Sequence, residues 1–244
     1  MNEFQNRVAI VTGTTGIGRA IALRLASAGC NVVACGIDPK ANGDLQRESS
    51  VGSLPLHIEP CDVSRPEQVQ SLVAGAVARH GGLDFIVNCA AIHPFGTAVE
   101  TDPETWSQCM AVNVGGAYLL AHFGIPELRK RGGGGILNIA SVQGHACQRG
   151  VAAYATTKGA LHSFTRALAL DHARQEHLPA MQRLAPCAGM VRAPQRALRA
   201  PQLVVRRLRP RLRDGGFLSA ITANRGLACR RETPQKRARN ATHF

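Results

Sequence analysis

The chain has 244 residues, enough for one large α/β domain with a sizeable buried core. No stretch approaches the roughly 18 consecutive apolar residues of a membrane span, and the N-terminal MNEFQNRVAIV lacks the basic and apolar regions of a signal peptide. Eight scattered cysteines without a CxxC pair indicate reduced thiols rather than a disulfide or zinc framework, so we expect a cytoplasmic location.

The net charge of +13 is concentrated near the C-terminus. Residues 1–174 contain 14 Lys and Arg against 13 Asp and Glu, whereas residues 175–244 contain 15 against 3. This difference predicts two parts, an ordinary domain over 1–174 and an arginine-rich segment over 175–244.

Strands and helices are expected to alternate along the first part of the chain. Short apolar runs rich in β-branched residues predict buried strands at 8–12, 31–35, 56–63, 83–88 and 132–141. Apolar spacing and capping signals predict helices at 19–29, 64–81, 101–123 and 153–172. The alternation predicts a single α/β domain with a doubly wound, Rossmann-like parallel sheet.

Local signals indicate how the first helix packs and where the next two begin. The spacing of Ile17, Ile21 and Leu25 predicts the buried face of the first helix. The sequences SRPE at Ser64 and TDPE at Thr101 each predict a capping box with proline in the first turn.

The run TGTTGIG joins the first strand to the first helix and is a candidate dinucleotide site. Glycines in such a loop let the backbone approach a pyrophosphate, and the helix N-terminus supplies free N–H groups. A tight turn without a ligand is the alternative. The loop residues expected to contact the cofactor are Gly13, Thr15, Gly16, Ile17 and Gly18.

The charge near the adenosine ribose is expected to favour NAD over NADP. A 2′-phosphate binds Arg or Lys, whereas a free 2′-hydroxyl suits an acid. Thr14 and Thr15 are not basic, and Asp38 after the second strand would repel a phosphate if it points inward. The alternative for Asp38 is a solvated turn residue before Pro39.

Ser141 ends the fifth strand, and Tyr154 and Lys158 follow on the next helix. Their i,i+4 spacing puts the phenol and the ammonium on one helical face, where the cation stabilises the phenolate and lowers the pKa of the phenol. Tyr154 can then exchange a proton with a carbonyl or an alcohol, and Ser141 can hydrogen-bond the reacting oxygen. A surface Tyr–Lys pair and a helix-approach cap at Ser141 are the alternatives.

Three polar residues after the fourth and fifth strands are candidates for lining a substrate pocket, namely His93, His145 and Gln148. The nine histidines show no ligand spacing such as HxxxH within one helix, so no metal site is expected.

The glycine loop and the Ser–Tyr–Lys set together resemble the short-chain dehydrogenase/reductase family over about residues 7–174. The loop of that family reads TGxxxGxG, and the loop here is one residue shorter. Asp62 and Val63 match the family's adenine-contacting pair. The alternative for Asp62 is a residue that only leads into the following helix.

The resemblance extends to two asparagines. The sequence NCAA from Asn88 to Ala91 stands where the family usually has NNAG, so Asn88 and Ala90 are expected beside the cofactor, with a purely structural bridge as the alternative for Asn88. Asn113 in MAVNVGG matches the asparagine that completes a proton relay through water in the family. Helix capping or simple burial is the alternative for Asn113.

The resemblance implies an oxidoreductase that transfers a hydride between NAD or NADP and a small-molecule alcohol or carbonyl compound. Tyr154 would be the general acid and base, and Lys158 would also bind the nicotinamide ribose. The helices that carry Asn113 and Tyr154 correspond to the family's usual dimer surface, so a homodimer or homotetramer is expected.

The resemblance is expected to end where the arginine-rich segment begins. The family continues into a sixth strand with the pattern VNAxxPGxVxT and then a seventh, whereas QEHLPAMQRLAPCAGMVRAP places prolines where a central strand should lie. We therefore hypothesise that a frame change near codon 174 replaced the natural C-terminus. A basic nucleic-acid-binding appendage, less favoured because aromatics are scarce, and a solvated disordered tail are the alternatives.

Loss of the last two strands would impair function. The fifth strand would become an open edge, and the nicotinamide and the substrate would lose one wall of their site. We expect such a chain to bind cofactor weakly and to turn over substrate slowly or not at all.

Overall fold

A computed structural model describes residues 4–172. The predictions on the arginine-rich segment, on the sixth and seventh strands and on the frame change concern residues that lie outside this range.

In the part of the chain that the structure describes, five parallel strands form one sheet with the order β3-β2-β1-β4-β5. The central strand is buried along its whole length, as expected of a strand covered on both faces. At its middle, Ile10 pairs with Val33 of β2 and with Ile86 of β4. The strands are β1 Val8–Thr12, β2 Asn31–Gly36, β3 Leu56–Pro60, β4 Phe85–Asn88 and β5 Gly135–Asn138.

Within residues 4–172, six helices cover the two faces of this sheet. Three of the predicted helices correspond to α1, α3 and α6, whereas the one predicted over 101–123 is divided into α4 and α5 and extends to Lys130. A π-helical turn, Ala111–Gly115, joins two helices, and a 3₁₀ turn, Val142–Gly144, follows β5. The doubly wound parallel sheet predicted from the sequence is therefore confirmed. The helices are α1 Gly16–Ser27, α2 Pro39–Val51, α3 Pro66–His80, α4 Pro103–Met110, α5 Gly116–Lys130 and α6 Ala152–His172.

Helix α2 is not predicted by the sequence pattern. Its sequence PKANGDLQRESSV is mostly polar and contains Gly43, so it carries no clear apolar period. The helix is anchored by Leu45, which is fully buried among the side chains on one face of the sheet.

The predicted apolar face of α1 is confirmed in part, since Ile21 and Leu25 pack against the core and Ile17 does not. Gly18, Ala22 and Ala26 are buried, whereas Ile17 is 61% exposed. Small residues on this face let the helix lie against the sheet: a Cβ at Gly18 would be only 2.1 Å from the carbonyl oxygen of Gly13. The apolar period alone could not reveal this, because larger apolar residues stand beside the small ones.

Both predicted capping boxes are wrong in their first residue. The N-cap of α3 is Arg65 without a side-chain cap, because the Ser64 hydroxyl donates to Asp62 Oδ1 at 2.7 Å. The N-cap of α4 is Asp102, whose carboxylate accepts from the Thr105 N–H at 2.7 Å. In each case an adjacent carboxylate, a stronger acceptor than a hydroxyl, decides the local hydrogen bonding.

Alternate residues of β1 point to opposite faces of the sheet and enter different clusters. Val8 and Ile10 belong to the cluster that includes residues of α3 and α5. Ala9 and Val11 belong to the cluster that includes residues of α1. Both faces are thus closed, and the polar side chains that remain for chemistry lie at the strand ends.

The run Pro103–Lys130 is long and apolar enough to cross a membrane by length and composition alone, which sequence inspection does not predict. Here the run is made of α4, the π-helical turn and α5. Leu120 and Leu128 of α5 are fully buried in the core beside the sheet. We therefore describe the run as a core helix of the domain.

Candidate active site

The sheet has a switch point at its carboxyl edge, between β1 and β4. From β1 the chain winds outward through β2 to β3 and then crosses back to β4 and β5. Crevices at such switch points are where parallel sheets of this kind bind ligands. The glycine loop after β1 and the residues after β4 border this crevice.

The glycine loop makes a tight turn that needs glycine at two positions. Gly13 has φ +90° and Gly16 has φ +49°, a region that favours glycine. The loop is held to β2 because the Gly13 N–H donates to the Cys35 carbonyl at 2.8 Å. Thr15, the N-cap of α1, makes no side-chain cap, so its hydroxyl does not occupy the first N–H groups of the helix. The shortened loop therefore still offers a cradle that fits a pyrophosphate.

Thr12 connects the ends of β1 and β4. Its hydroxyl donates to Asn88 Oδ1 at 3.3 Å and accepts from the N–H groups of Cys89 and Ala90, both at 3.0 Å. Asn88 is only 2% exposed, and its Nδ2 lies 3.5 Å from Asn138 Oδ1 on β5. These bonds support the structural reading of Asn88. Sequence reasoning missed Thr12.

At the end of β2, Asp38 caps α2 and accepts from the Lys40 N–H at 2.9 Å. Its side chain is exposed, as in the turn reading from the sequence. Thr14 is buried, and its hydroxyl donates to Asn42 Oδ1 at 2.8 Å, while Asn42 Nδ2 donates to the Gly36 carbonyl at 2.9 Å. The Thr14 hydroxyl is thereby engaged within the fold.

After β3, Asp62 forms hydrogen bonds with residues that follow it in the chain, and Val63 packs on α5. Asp62 Oδ1 accepts from the N–H of Ser64 at 2.9 Å, and the Asp62 N–H donates to Gln68 Oε1 at 2.8 Å. Val63 is only 5% exposed and packs on α5, where a Cβ at Gly116 would lie 2.8 Å from Val63 Cγ2. Asp62 is the more accessible of the two.

Tyr154 and Lys158 lie together on one face of α6, as their spacing predicts. The Lys158 Nζ is 5.4 Å from the centroid of the Tyr154 ring, and it donates to the Ile139 carbonyl at 2.9 Å. Lys158 is 3% exposed, and this burial lowers the pKa of its ammonium, while the neighbouring Cys89 and Cys109 act in the opposite direction. The bond to Ile139 holds the cation between α6 and the end of β5.

Ser141 begins the 3₁₀ turn after β5. Its Oγ accepts from the Gln143 N–H at 3.2 Å, so it acts as a local cap, which was the alternative reading. The turn nevertheless packs on α6, since a Cβ at Gly144 would lie 2.8 Å from the Lys158 carbonyl oxygen. The structure therefore brings the turn that carries Ser141 onto the helix that carries Tyr154 and Lys158.

The Asn113 side chain is fully committed within the fold. It is completely buried in the π-helical turn, where its Oδ1 accepts from the Ile92 N–H at 2.8 Å. Its Nδ2 donates to the Ile92 carbonyl at 2.9 Å and to the Thr157 hydroxyl at 3.0 Å. Thr157 in turn donates to the Tyr154 carbonyl at 2.7 Å. A proton relay at Asn113 would therefore have to use its backbone rather than its amide.

The pocket candidates have different surroundings. The His93 ring lies 4.0 Å from the Tyr154 ring, centroid to centroid, and 4.7 Å from the Phe95 ring. The His145 ring instead lies 4.0 Å from the ring of His162 on α6. Gln148 lines a cavity of about 370 Å³ with Thr97, Gln143, Gly144, Cys147, Gly150, Val151, Ala152, Ala155 and Thr156. Within residues 4–172, no group of three His, Cys, Asp or Glu side chains could hold a metal ion.

A doubly wound sheet with a glycine cradle at its switch point, and a Tyr–Lys pair at the next strand end, define a dinucleotide-binding α/β protein. Comparison with known proteins gives the family. The chain belongs to the short chain dehydrogenase family, whose sequence model matches residues 7–197. The match continues past residue 174, where the resemblance is expected to end. Residues 175–197 therefore retain family similarity.

Related proteins of known name are similar over the same part of the chain. Dehydrogenase/reductase SDR family member 4 of Oryctolagus cuniculus is 38% identical over 179 residues, which cover 71% of this chain and 68% of that protein. L-fucose dehydrogenase of Mus musculus is 36% identical over 176 residues, which cover 71% of this chain and 63% of that protein. The chain spans between 60% and 68% of the length of the curated relatives it matches.

Solved structures agree with the fold. A short-chain dehydrogenase/reductase from Burkholderia xenovorans aligns with a TM-score of 0.68 and 30% identity, over 72% of each chain. A variant of actinorhodin polyketide ketoreductase with NADPH aligns with a TM-score of 0.67 and 31% identity, over 70% of this chain and 67% of that chain. These relatives support an oxidoreductase with a nicotinamide cofactor, either NAD or NADP.

Proposed function

We propose that this chain interconverts a hydroxyl and a carbonyl group on a small molecule, with Tyr154 as general acid and base. The observation that carries the proposal is the placement of the Lys158 ammonium 5.4 Å from the Tyr154 ring, in a buried position at the carboxyl edge of the sheet. The pair places a buried cation next to the ring whose hydroxyl would exchange the proton with the substrate.

The glycine cradle is the proposed seat of the cofactor pyrophosphate. Gly13 and Gly16 present backbone without Cβ atoms, and no atom lies within 4 Å of the position that a Cβ at Gly16 would take. The first N–H groups of α1 would donate to the phosphate oxygens. The nicotinamide group supplies the hydride acceptor or donor when it is bound.

We propose NAD as the preferred cofactor. Asp38 is exposed at the end of β2, where an acid suits a free 2′-hydroxyl. The basic side chains nearest in the chain to the cradle and to Asp38 already have acidic partners: Arg19 pairs with Glu48, and Lys40 lies 3.5 Å from Asp44. A 2′-phosphate would have to compete with those carboxylates for a cation.

In the proposed reaction, Tyr154 transfers one proton: it donates the proton during reduction and accepts it during oxidation. For reduction, Tyr154 donates its proton to the carbonyl oxygen, and Lys158 stabilises the phenolate that remains. The Ser141 hydroxyl would donate to the same oxygen while it still accepts from the Gln143 N–H at 3.2 Å, because a hydroxyl has one donor and two acceptor sites. His93, against the Tyr154 ring, would form the wall beside the reacting carbon.

Three further expectations belong to this proposal. A cytoplasmic location belongs to the proposal as an expectation from the scattered cysteines of the sequence. A homodimer or homotetramer through the helices that carry Asn113 and Tyr154 is supported by family membership. A substrate among small alcohols or carbonyl compounds is supported by the relatives, one of which is named as acting on L-fucose.

The test follows nicotinamide absorbance with the purified 244-residue chain, NADH or NADPH, and a panel of ketones and sugars. Tyr154→Phe is the test variant, because it removes only the hydroxyl and keeps the ring against His93. The wild type is its control. We expect Tyr154→Phe to lower kcat by about 10²- to 10⁴-fold with little change in cofactor affinity. Equal turnover by both proteins would contradict the assignment of Tyr154.

An impaired chain is the second candidate, favoured by the arginine-rich composition of residues 175–244. Such a chain would bind NADH in a fluorescence titration without turning over any substrate. Nucleotide sequencing of the gene tests the frame change, which is disproved if neither alternative frame encodes a VNAxxPG-like strand. A salt-dependent shift of an oligonucleotide by the full chain would instead support a nucleic-acid-binding appendage.

A further inference from the structure

His162 lies one helical turn beyond Lys158 on α6 and has no part in the reaction proposed above. Its side chain is 3% exposed, and its Nε2 lies 3.4 Å from the backbone carbonyl oxygen of Ser141. Because a carbonyl oxygen can only accept, this contact requires the proton on Nε2 and leaves Nδ1 with a lone pair.

The Ser141 turn, residues 141–145, is seated directly on this imidazole. The Gly144 N–H donates to the Ser141 carbonyl at 3.0 Å, so that oxygen accepts from both the turn and the helix. A Cβ at Gly144 would lie 2.8 Å from His162 Cδ2 and 2.8 Å from the Lys158 carbonyl oxygen. The His145 ring covers the other side, 4.0 Å away at an angle of 32°. The imidazole is thus enclosed between the helix and the turn.

We propose that His162 is a positioning residue, whose neutral imidazole fastens the Ser141 turn to the helix that carries Tyr154 and Lys158. Three side-chain hydrogen bonds join α6 to the end of β5 and the residues after it. Asn138 Nδ2 donates to the Thr165 hydroxyl, and Lys158 donates to the carbonyl of Ile139. His162 donates to the carbonyl of Ser141, so it is the one of the three that holds the turn itself. The position of the Ser141 hydroxyl relative to Tyr154 is then held fixed, because the turn and the helix are bonded to each other. The catalytic consequence rests on the proposed function of Ser141, whereas the fastening itself does not.

The surroundings of His162 make the fastening sensitive to acid. Its Nδ1 is buried and has no hydrogen-bond partner among residues 4–172, so a proton there would create a buried donor without an acceptor. The charged and titratable groups that face it are His145 from the turn and Lys158 and Arg166 from α6. Burial, and then His145, lower the pKa of His162, while the Ser141 carbonyl opposes them. Protonation therefore favours release of the ring and of the turn.

Two substitutions separate the hydrogen bond from the shape of the side chain. In His162→Gln the amide Nε2 can donate to the Ser141 carbonyl but cannot be protonated near neutral pH, whereas His162→Leu fills the space without a donor. The measurement is amide hydrogen exchange of the full chain, read by mass spectrometry on the peptide that covers 141–148. At pH 8 we expect exchange about 3- to 10-fold faster in His162→Leu and close to wild type in His162→Gln. A peptide covering 8–27 is the internal control and should not change.

The pH dependence supplies the second measurement. Protection of the 141–148 peptide, corrected for intrinsic exchange, should fall in the wild type between pH 7 and pH 5.5 and stay constant in His162→Gln. Equal exchange in wild type and His162→Leu at pH 8 overturns the proposal. If His162→Leu does not fold, the same pH profile in wild type and His162→Gln overturns it.

Turnover distinguishes this proposal from the proposed function. If the wild type is active, His162→Leu should lower kcat without raising the KM for cofactor, and His162→Gln should restore kcat. A wild type that shows the exchange pattern but no turnover contradicts the proposed function and supports the fastening. An active His162→Leu with normal kcat overturns the positioning role.

Discussion

The ring of His93 packs on the ring of Tyr154, with the centroids 4.0 Å apart and the planes at 56°. His93 follows β4 and Tyr154 begins α6, so the contact joins two elements across the candidate site. His93 is an exposed residue, so its ring nitrogens are open to a ligand. The pair therefore forms one wall of the proposed reaction site, with a hydrogen-bonding group next to the proton donor.

Replacing His93 should affect substrate more than cofactor. We expect His93→Ala to raise the KM for the substrate by about tenfold, because an aromatic contact with Tyr154 and a polar wall are both lost. His93→Phe is the matched control, since it keeps a ring and removes the hydrogen-bonding nitrogens. Steady-state kinetics with varied substrate and varied NADH separate the two effects. An unchanged substrate KM in His93→Ala would remove this residue from the site.

Gly18→Ala should damage the cofactor cradle. The added Cβ would lie 2.1 Å from the Gly13 carbonyl oxygen, a backbone atom that cannot move away without opening the turn. We expect NADH affinity to fall by about tenfold or more, as measured by fluorescence titration. Gly75→Ala in α3 is the control, because a Cβ there meets nothing within 4 Å. This control should keep its affinity and gain about 0.5–1 kcal/mol of stability. Equal affinities in the two variants would disprove the cradle.

Asp84 should be the carboxylate whose loss destabilises the domain most clearly. It is 1% exposed, accepts from the Val8 N–H at 2.9 Å and pairs with Arg7 at 2.7 Å. Asp84→Asn should lower the free energy of unfolding by about 2–3 kcal/mol, since the guanidinium groups beside it lose their counter-charge. Asp44→Asn, which removes exposed pairs with Lys40 and Arg47, should cost less than about 1 kcal/mol. Urea unfolding measures both, and similar losses would contradict the ranking.

Stability should fall as the pH drops below about 6.5, the ordinary pKa of an unfolded histidine. Burial lowers the pKa of His80, His162 and His172 in the folded chain. Above the unfolded pKa all three are neutral in both states, and below it the unfolded chain binds protons first, so unfolding becomes easier. Urea midpoints at pH 8, 7, 6 and 5.5 test this. His80→Gln and His172→Gln should each flatten the profile, and a midpoint that rises towards pH 5.5 would show the sign to be wrong.

The elements that the sequence predicts well are those set by neighbours along the chain. The β-branched apolar run VAIVT predicts a strand buried on both faces, and the sheet confirms it. The four-residue spacing of Tyr154 and Lys158 placed them on one helical face before any packing was known. Helix α2 was not predicted, because its sequence is mostly polar and has no periodic apolar face. Burial of Leu45 against the sheet stabilises this helix.

The features of the candidate site also fall into those that the sequence predicts and those that only the tertiary structure shows. The sequence alone predicted the glycine turn and the Tyr–Lys pair, because each depends on contacts within a few residues. It predicted the parallel sheet by a different signal, the alternation of apolar strands with helices along the chain. Only the tertiary structure decided that the Asn113 amide is taken up by Ile92 and Thr157, and that His162 lies behind Ser141. These contacts join residues about 20 or more positions apart. Their partners depend on how helices dock on the sheet, which local spacing does not encode.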